Sequence, residues 1–174
     1  ELGSLTALRF AELCVEAGVP DGVINVVTGR GDVGGRLVEH RDVDKISFTG
    51  GTATGKRIAA AAASSLKKVH LELGGKSPNI VFDDAHMENA VKGVVSGIFA
   101  ATGQTCIAGS RLLVQESSYP QLLDSLKRRM ARLRVGDPLD KNTDIGAINS
   151  PEQLARIREL SDAGEAEGAE RWSP

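Results

Sequence analysis

The chain has 174 residues, with 21 Lys and Arg against 23 Asp and Glu and a formal net charge of -2 at pH 7. That balance supplies no basic field for nucleic acid, and no stretch reaches the roughly 18 apolar residues that span a membrane. The two cysteines lack metal-ligand spacing, which excludes a disulfide framework or a zinc knuckle and fits a reducing, cytoplasmic setting.

The length allows one ordinary domain or parts of two. From the start of the chain, Leu5, Leu8, Ala11 and Val15 recur at helical spacing between Ser4, a possible cap, and Gly18, a stop. Pro20-Asp21-Gly22 reads as a turn. The β-branched run Val23 to Val27 predicts a short strand, followed by a glycine-rich turn from Gly29 to Gly35 that opens a helix to His40. Lys45 to Phe48 predicts the next strand, and the alanine-rich run Ala53 to Ser65 a helix able to pack closely on a sheet.

Val69 to Leu73 and Asn79 to Asp83 predict two strands around the Gly74-Gly75 break. Met87 to Ala101 predicts a helix, Arg111 to Gln115 a strand, and Tyr119 to Arg134 an amphipathic helix with Leu122, Leu126 and Met130 on one side. Pro151 to Gly164 predicts the last helix, with Pro151 in its first turn. This alternation is the signature of an α/β fold with a doubly wound, mainly parallel sheet.

Two segments carry chemistry. Cys106 lies in Phe99-Ala100-Ala101-Thr102-Gly103-Gln104-Thr105-Cys106-Ile107-Ala108-Gly109-Ser110-Arg111, and Glu72 in Leu71-Glu72-Leu73-Gly74-Gly75-Lys76-Ser77-Pro78. A thiol that attacks carbonyls needs a group to move protons. A Glu between leucines suits that work, because burial raises the proton affinity of a carboxyl group. Cys14, on the apolar side of a predicted helix, reads as a core residue.

Gly29-Arg30-Gly31-Asp32-Val33-Gly34 spells G-x-G-x-x-G between a predicted strand and a predicted helix, the context of a dinucleotide fingerprint. By itself it reads equally as a tight turn. Phe48-Thr49-Gly50-Gly51 has the stronger physical case: Gly50 and Gly51 expose N–H groups where a helix begins, and a helix N-terminus attracts anions such as pyrophosphate. Thr52 is placed to cap that helix.

The Glu72 and Cys106 motifs resemble those of the NAD(P)-dependent aldehyde dehydrogenase superfamily, and the likeness runs from Leu5-Thr6-Ala7-Leu8 through Phe48-Thr49-Gly50-Gly51-Thr52 to Gly136-Asp137-Pro138 and Gly146. It implies that Cys106 is the nucleophile and Glu72 the general base. It implies a Rossmann-like cofactor domain, its later part in residues 1–73, joined to the first part of an α/β catalytic domain in residues 74–174. Subunits of that superfamily are much longer, so the sequence reads as an internal segment.

The resemblance also implies aldehyde oxidation to a carboxylic acid through a thiohemiacetal and a thioester on Cys106. It implies a homodimer or homotetramer acting on a small-molecule aldehyde, with no nucleic-acid or membrane partner. The cofactor would touch Gly31 and Gly35 near its adenosine half, Phe48, Thr49, Gly50 and Gly51 along the pyrophosphate, Thr54 against the adenine, and Leu73-Gly74 at the domain boundary. Glu1 resembles the acid that contacts the adenosine ribose, which favours NAD over NADP. Many members have Ser where this chain has Gly51, so a backbone contact would replace a hydroxyl there. Thr105 and Ile107 would line the pocket floor and suit a modest, apolar aldehyde.

Two rival readings stay open: a non-catalytic nucleotide-binding or structural relative, and an acylating enzyme that passes the thioester to coenzyme A. Intact Glu72 and Cys106 argue against the first, and Glu72 against the second. Lys76 reads as an anchor for the loop around Gly74-Gly75, and Lys127, Arg128, Arg129, Arg132 and Arg134 as a solvated helix face. His40 and His70 read as isolated from any acid and nucleophile. Tyr119 and Trp172 form no stacking platform for bases.

Overall fold

The computed structural model describes residues 2–174. Glu1, and with it the expected ribose acid, lies outside the described residues. The elements run α1 (Ser4–Glu16), α2 (Gly31–Glu39), β1 (Lys45–Gly50), α3 (Thr52–Ala63), β2 (Lys68–Leu73), β3 (Pro78–Val81), α4 (Met87–Phe99), β4 (Arg111–Val114), α5 (Tyr119–Met130) and α6 (Pro151–Ala166). They form two compact units, one ending at Leu73 and the other beginning at Gly74.

In the first unit β1 and β2 pair in parallel, from Lys45 opposite Lys68 to Gly50 opposite Leu73. A parallel pair needs a crossover, and α3 provides it. Side chains alternate across both strands. Ile46, Phe48, Val69, Leu71 and Leu73 are half-buried, while Ser47, Thr49, His70 and Glu72 are exposed. The helix lies close because Gly55 has no side chain: a Cβ there would come within 2.6 Å of Leu73 Cδ2.

In the second unit β3 and β4 pair in parallel, from Pro78 opposite Arg111 to Val81 opposite Val114, with α4 as the crossover. Val81, Val91, Val94, Val95, Leu122 and Leu126 form one buried cluster, with Phe99, Met130 and Leu133 packed against it. Leu122 and Leu126 are one helical turn apart, so α5 docks on α4 through the stripe its sequence predicts. Ser150 caps α6 by accepting from the Gln153 N–H at 3.1 Å, and Pro151 opens the helix.

All strand pairing is parallel, as the alternating sequence predicts. Some details differ from the sequence reading, and β3 also ends at Val81, short of Asp83. Val23 to Val27 is no strand, because Val23 and Ile24 lie in a bend and no chain segment pairs with the run among the described residues; Val23 and Val27 are exposed. Ser4 and Thr52 are the first helical residues of α1 and α3 instead of their caps; Gly3 and Gly51 hold the cap positions, with no side-chain bond. α4 stops at Phe99, because Ala101 and Thr102 turn left-handed in the short 3-10 turn that follows. α5 stops at Met130, short of Arg134.

Candidate active site

Cys106 is exposed on the loop between α4 and β4. The loop is fixed on both sides of the thiol. Upstream, Ala101, Thr102 and Gly103 take φ values of 50°, 58° and 74°, and the Gln104 N–H closes a turn onto the Ala101 carbonyl at 3.0 Å. Downstream, the Ala108 N–H donates to Thr105 O at 3.0 Å and the Gly109 N–H to Gly97 O of α4 at 3.1 Å. The Asn79 side-chain amide of β3 donates to Gly109 O at 3.0 Å.

Around this loop, a Cβ on Gly75 would lie 3.4 Å from the Cys106 carbonyl oxygen, so the Gly74-Gly75 segment runs beside the cysteine. The Cys106 N–H makes no hydrogen bond among the described residues, which leaves a donor free next to the sulfur. The loop returns to the C-terminal turn of α4, whose carbonyls carry the negative end of the helix.

Glu72 lies on β2, one residue before that strand ends. Strand alternation turns Leu71 and Leu73 to one face and the carboxylate to the other, so the apolar burial expected from its neighbours is absent: its side chain is 62% exposed. The same alternation brings His70 alongside, with its Nε2 3.0 Å from Glu72 Oε1. His70 is therefore not isolated, as the sequence had suggested. The missed signal was the two-residue spacing, which puts both on one face of any strand.

The expected cofactor segment is continuous. Thr49 pairs with Glu72 and Gly50 with Leu73 across β1 and β2. Gly50 sits under the Phe48 ring, where a Cβ would meet Cζ at 2.4 Å. Gly51 precedes α3, whose first turn has no acidic residue and no capping side chain, so its N–H groups are free for an anion. Thr54 Oγ1 accepts from Arg57 Nη2 at 3.2 Å, bringing a guanidinium to that turn. These features fit the pyrophosphate of a dinucleotide.

At α2, Gly31 and Gly35 would meet no protein atom within 4 Å on gaining a Cβ; only Gly29 is crowded, by Val33. Among the described residues no paired strand precedes the turn, so they do not supply the strand-turn-helix setting of a dinucleotide fingerprint. Gly74 is exposed and open. Lys76 Nζ donates to Gly75 O at 3.2 Å, and Lys76 O accepts from Arg111 Nε at 2.8 Å, which ties that loop to β4. Of the basic residues on and after α5, Arg128 pairs with Asp124, Arg134 with Asp144, and Lys127 lies 5.7 Å over the Trp172 ring.

The model of the aldehyde dehydrogenase family matches residues 1–172. The chain belongs to the aldehyde dehydrogenase family. Among curated members, the betaine aldehyde dehydrogenase of Agrobacterium fabrum is 48% identical over 165 residues, covering 95% of this chain and 34% of that protein. The NAD-dependent aldehyde dehydrogenase of Sinorhizobium meliloti superposes with a TM-score of 0.93 at 45% identity, over 95% of this chain and 33% of that one. An E. coli structure described as an NADP dependent enzyme gives 0.92 at 42% identity, over 95% and 34%. The chain thus spans about a third of the length of the curated relatives it matches.

Proposed function

We propose that the protein carrying this segment oxidises an aldehyde to a carboxylic acid with NAD, through covalent chemistry on Cys106 and with Glu72 as the base of the hydrolytic step. In this reading residues 1–73 belong to the cofactor domain and residues 74–174 to the catalytic domain. The observation that carries it is the Cys106 loop: an exposed thiol beside an unbonded N–H, on a turn tied to Gly97 and Asn79.

The Cys106 thiolate adds to the carbonyl carbon, and the oxyanion so formed takes a hydrogen bond from the free Cys106 N–H. A bound nicotinamide dinucleotide would supply the hydride acceptor, which converts the thiohemiacetal into a thioester. Phe48 to Gly51, Thr54 and the open first turn of α3 would hold it, with Gly31, Gly35, Leu73 and Gly74 as further contacts. Glu72 then takes a proton from water as its oxygen attacks the thioester carbon, and collapse of the adduct releases the acid and the Cys106 thiolate.

Rapid mixing of the full-length Glu72→Gln protein with aldehyde and NAD tests this. The expected result is a burst of NADH close to one per site and then a stalled thioester, since an amide cannot take the proton. A lost burst in a folded variant would move Glu72 to the activation of Cys106. The preference for NAD rests on Glu1 and is tested by comparing kcat/KM for NAD and NADP. Relatives named for betaine aldehyde make it the second aldehyde to try beside a short aliphatic one.

A further inference from the structure

On β2, His70 and Glu72 stand two residues apart on the exposed face, with Nε2 and Oε1 at 3.0 Å. β1 brings Ser47 opposite His70 and Thr49 opposite Glu72, both uncharged. The other charged side chains on this face are Lys68 and its register partner Lys45, at the end of the strands away from Glu72. α3 packs through Gly55 against Leu73, whose side chain points to the opposite face, so Lys56 and Arg57 belong to the other side of the sheet. His70 is thus the group within contact of the carboxylate that can both donate to it and accept a proton.

We propose that His70 is a positioning residue for Glu72, holding Oε1 and receiving the proton that Glu72 takes from the deacylating water; this rests on the reading of Glu72 as general base. The step balances. Water gives its hydroxyl oxygen to the thioester carbon and its proton to Glu72. The protonated carboxyl passes that proton to Nε2 of the Nδ1–H tautomer, the imidazolium releases its Nδ1 proton to solvent and holds Oε1 through Nε2–H, and exchange of the neutral imidazole with water returns the Nδ1–H tautomer, restoring both groups. Imidazole suits this because it is the side chain whose ordinary charge change falls between pH 5 and 8. The relay runs only through the neutral imidazole, because an imidazolium has no free nitrogen to accept a proton.

The test is the deacylation rate of the full-length protein, measured by rapid mixing from pH 5 to 9, for His70→Ala, His70→Gln and Glu72→Gln. His70→Ala is expected to slow deacylation roughly ten-fold at pH 7 with the hydride burst unchanged, well short of the 100-fold or more for losing a general base. Added imidazole should restore part of that loss. His70→Gln keeps a donor and the fold, yet its acid limb should lack one ionisation that the unsubstituted protein shows. A pH profile superimposable on the unsubstituted one in both His70 variants, with Glu72→Gln stalled, overturns the role of His70 alone. Unimpaired deacylation in Glu72→Gln overturns the base assignment and this proposal with it.

Discussion

Asn79 on β3 donates its side-chain amide to the carbonyl of Gly109, three residues after Cys106, at 3.0 Å. Gly109 has no room for more: a Cβ would lie 2.1 Å from Asn79 Nδ2. One bond therefore sets the distance between the first strand of the second unit and the cysteine loop.

Asn79→Ala should cost about 1 kcal/mol of stability, the usual net value of one hydrogen bond. Its effect on kcat should be larger, up to about 100-fold, because reacting atoms tolerate little displacement. Gly109→Ala breaks the same bond by pushing the amide away, so the double variant should lose less than the sum of the two single losses. Strict additivity in a cycle of kcat values would show that the two residues act separately.

Upstream of the thiol, the left-handed backbone at Ala101 and Thr102 is expensive for residues with a Cβ, roughly 1 to 2 kcal/mol each. Thr102 recovers some of this through its hydroxyl, which donates to Ala101 O at 2.6 Å and accepts from the Gln104 amide. Ala101 has no such compensation. Ala101→Asn is expected to raise the unfolding temperature, since Asn tolerates this region, and Ala101→Val to lower it. Scanning calorimetry of the pair decides: if Val unfolds at or above the temperature of Asn, the strain is not where the backbone angles put it.

The order and type of nearly every element were legible because helix and strand periods differ and glycines mark the breaks, as between Thr52–Ala63 and Lys68–Leu73. Pairing was not legible. Val23 to Val27 has strand composition, but a strand exists only where a neighbour shares its hydrogen bonds. The environment of Glu72 was misread for a related reason. Its leucine neighbours are adjacent in sequence and opposite in space, while His70, two residues away, is the true neighbour. The Cys106 loop was located from its residues, but its ties to Asn79 and Gly97 are long-range and leave no local trace.

The loop after α5 has its own acid-sensitive clasp. Asp144 Oδ2 accepts from Arg134 Nε at 3.2 Å and from the Arg134 N–H at 3.0 Å, while Asp144 and Ile145 N–H groups return bonds to Arg134 O. The side-chain bond from Arg134 first, and its backbone N–H second, hold the Asp144 carboxyl below the usual carboxylate range. A lowered folded value means that the stabilisation is complete above the ordinary Asp value of about 3.9 and is lost as pH falls through the lower folded one. Amide exchange at Gly136 and Ile145, corrected for intrinsic rate, should therefore stay slow from neutrality to about pH 4 and quicken below it. Asp144→Asn should remove that acid dependence. An unchanged acid limb in the variant would assign it to another group.

The two units should differ sharply in stability when the 174-residue chain is studied by itself. Among the described residues, only Ala62 of the buried apolar side chains precedes Leu73; Val81, Val91, Val94, Val95, Ala108, Leu122 and Leu126 all follow it. Burying a valine or leucine stabilises by roughly 1.5 to 3 kcal/mol, so the second unit has a core to oppose chain entropy and the first has almost none. Leu5, Phe10, Val23 and Leu66 of the first unit stand exposed instead. Hydrogen exchange should show slow amides in α4 and α5, around Val94 and Leu126, and fast ones in α1, α2 and α3. Leu122→Ala, at the largest fully buried side chain among the described residues, should cost about 2 to 5 kcal/mol and bring α4 and α5 to the same fast exchange. Equal protection in α3 and α4 of the unsubstituted chain would refute this ranking of the two units.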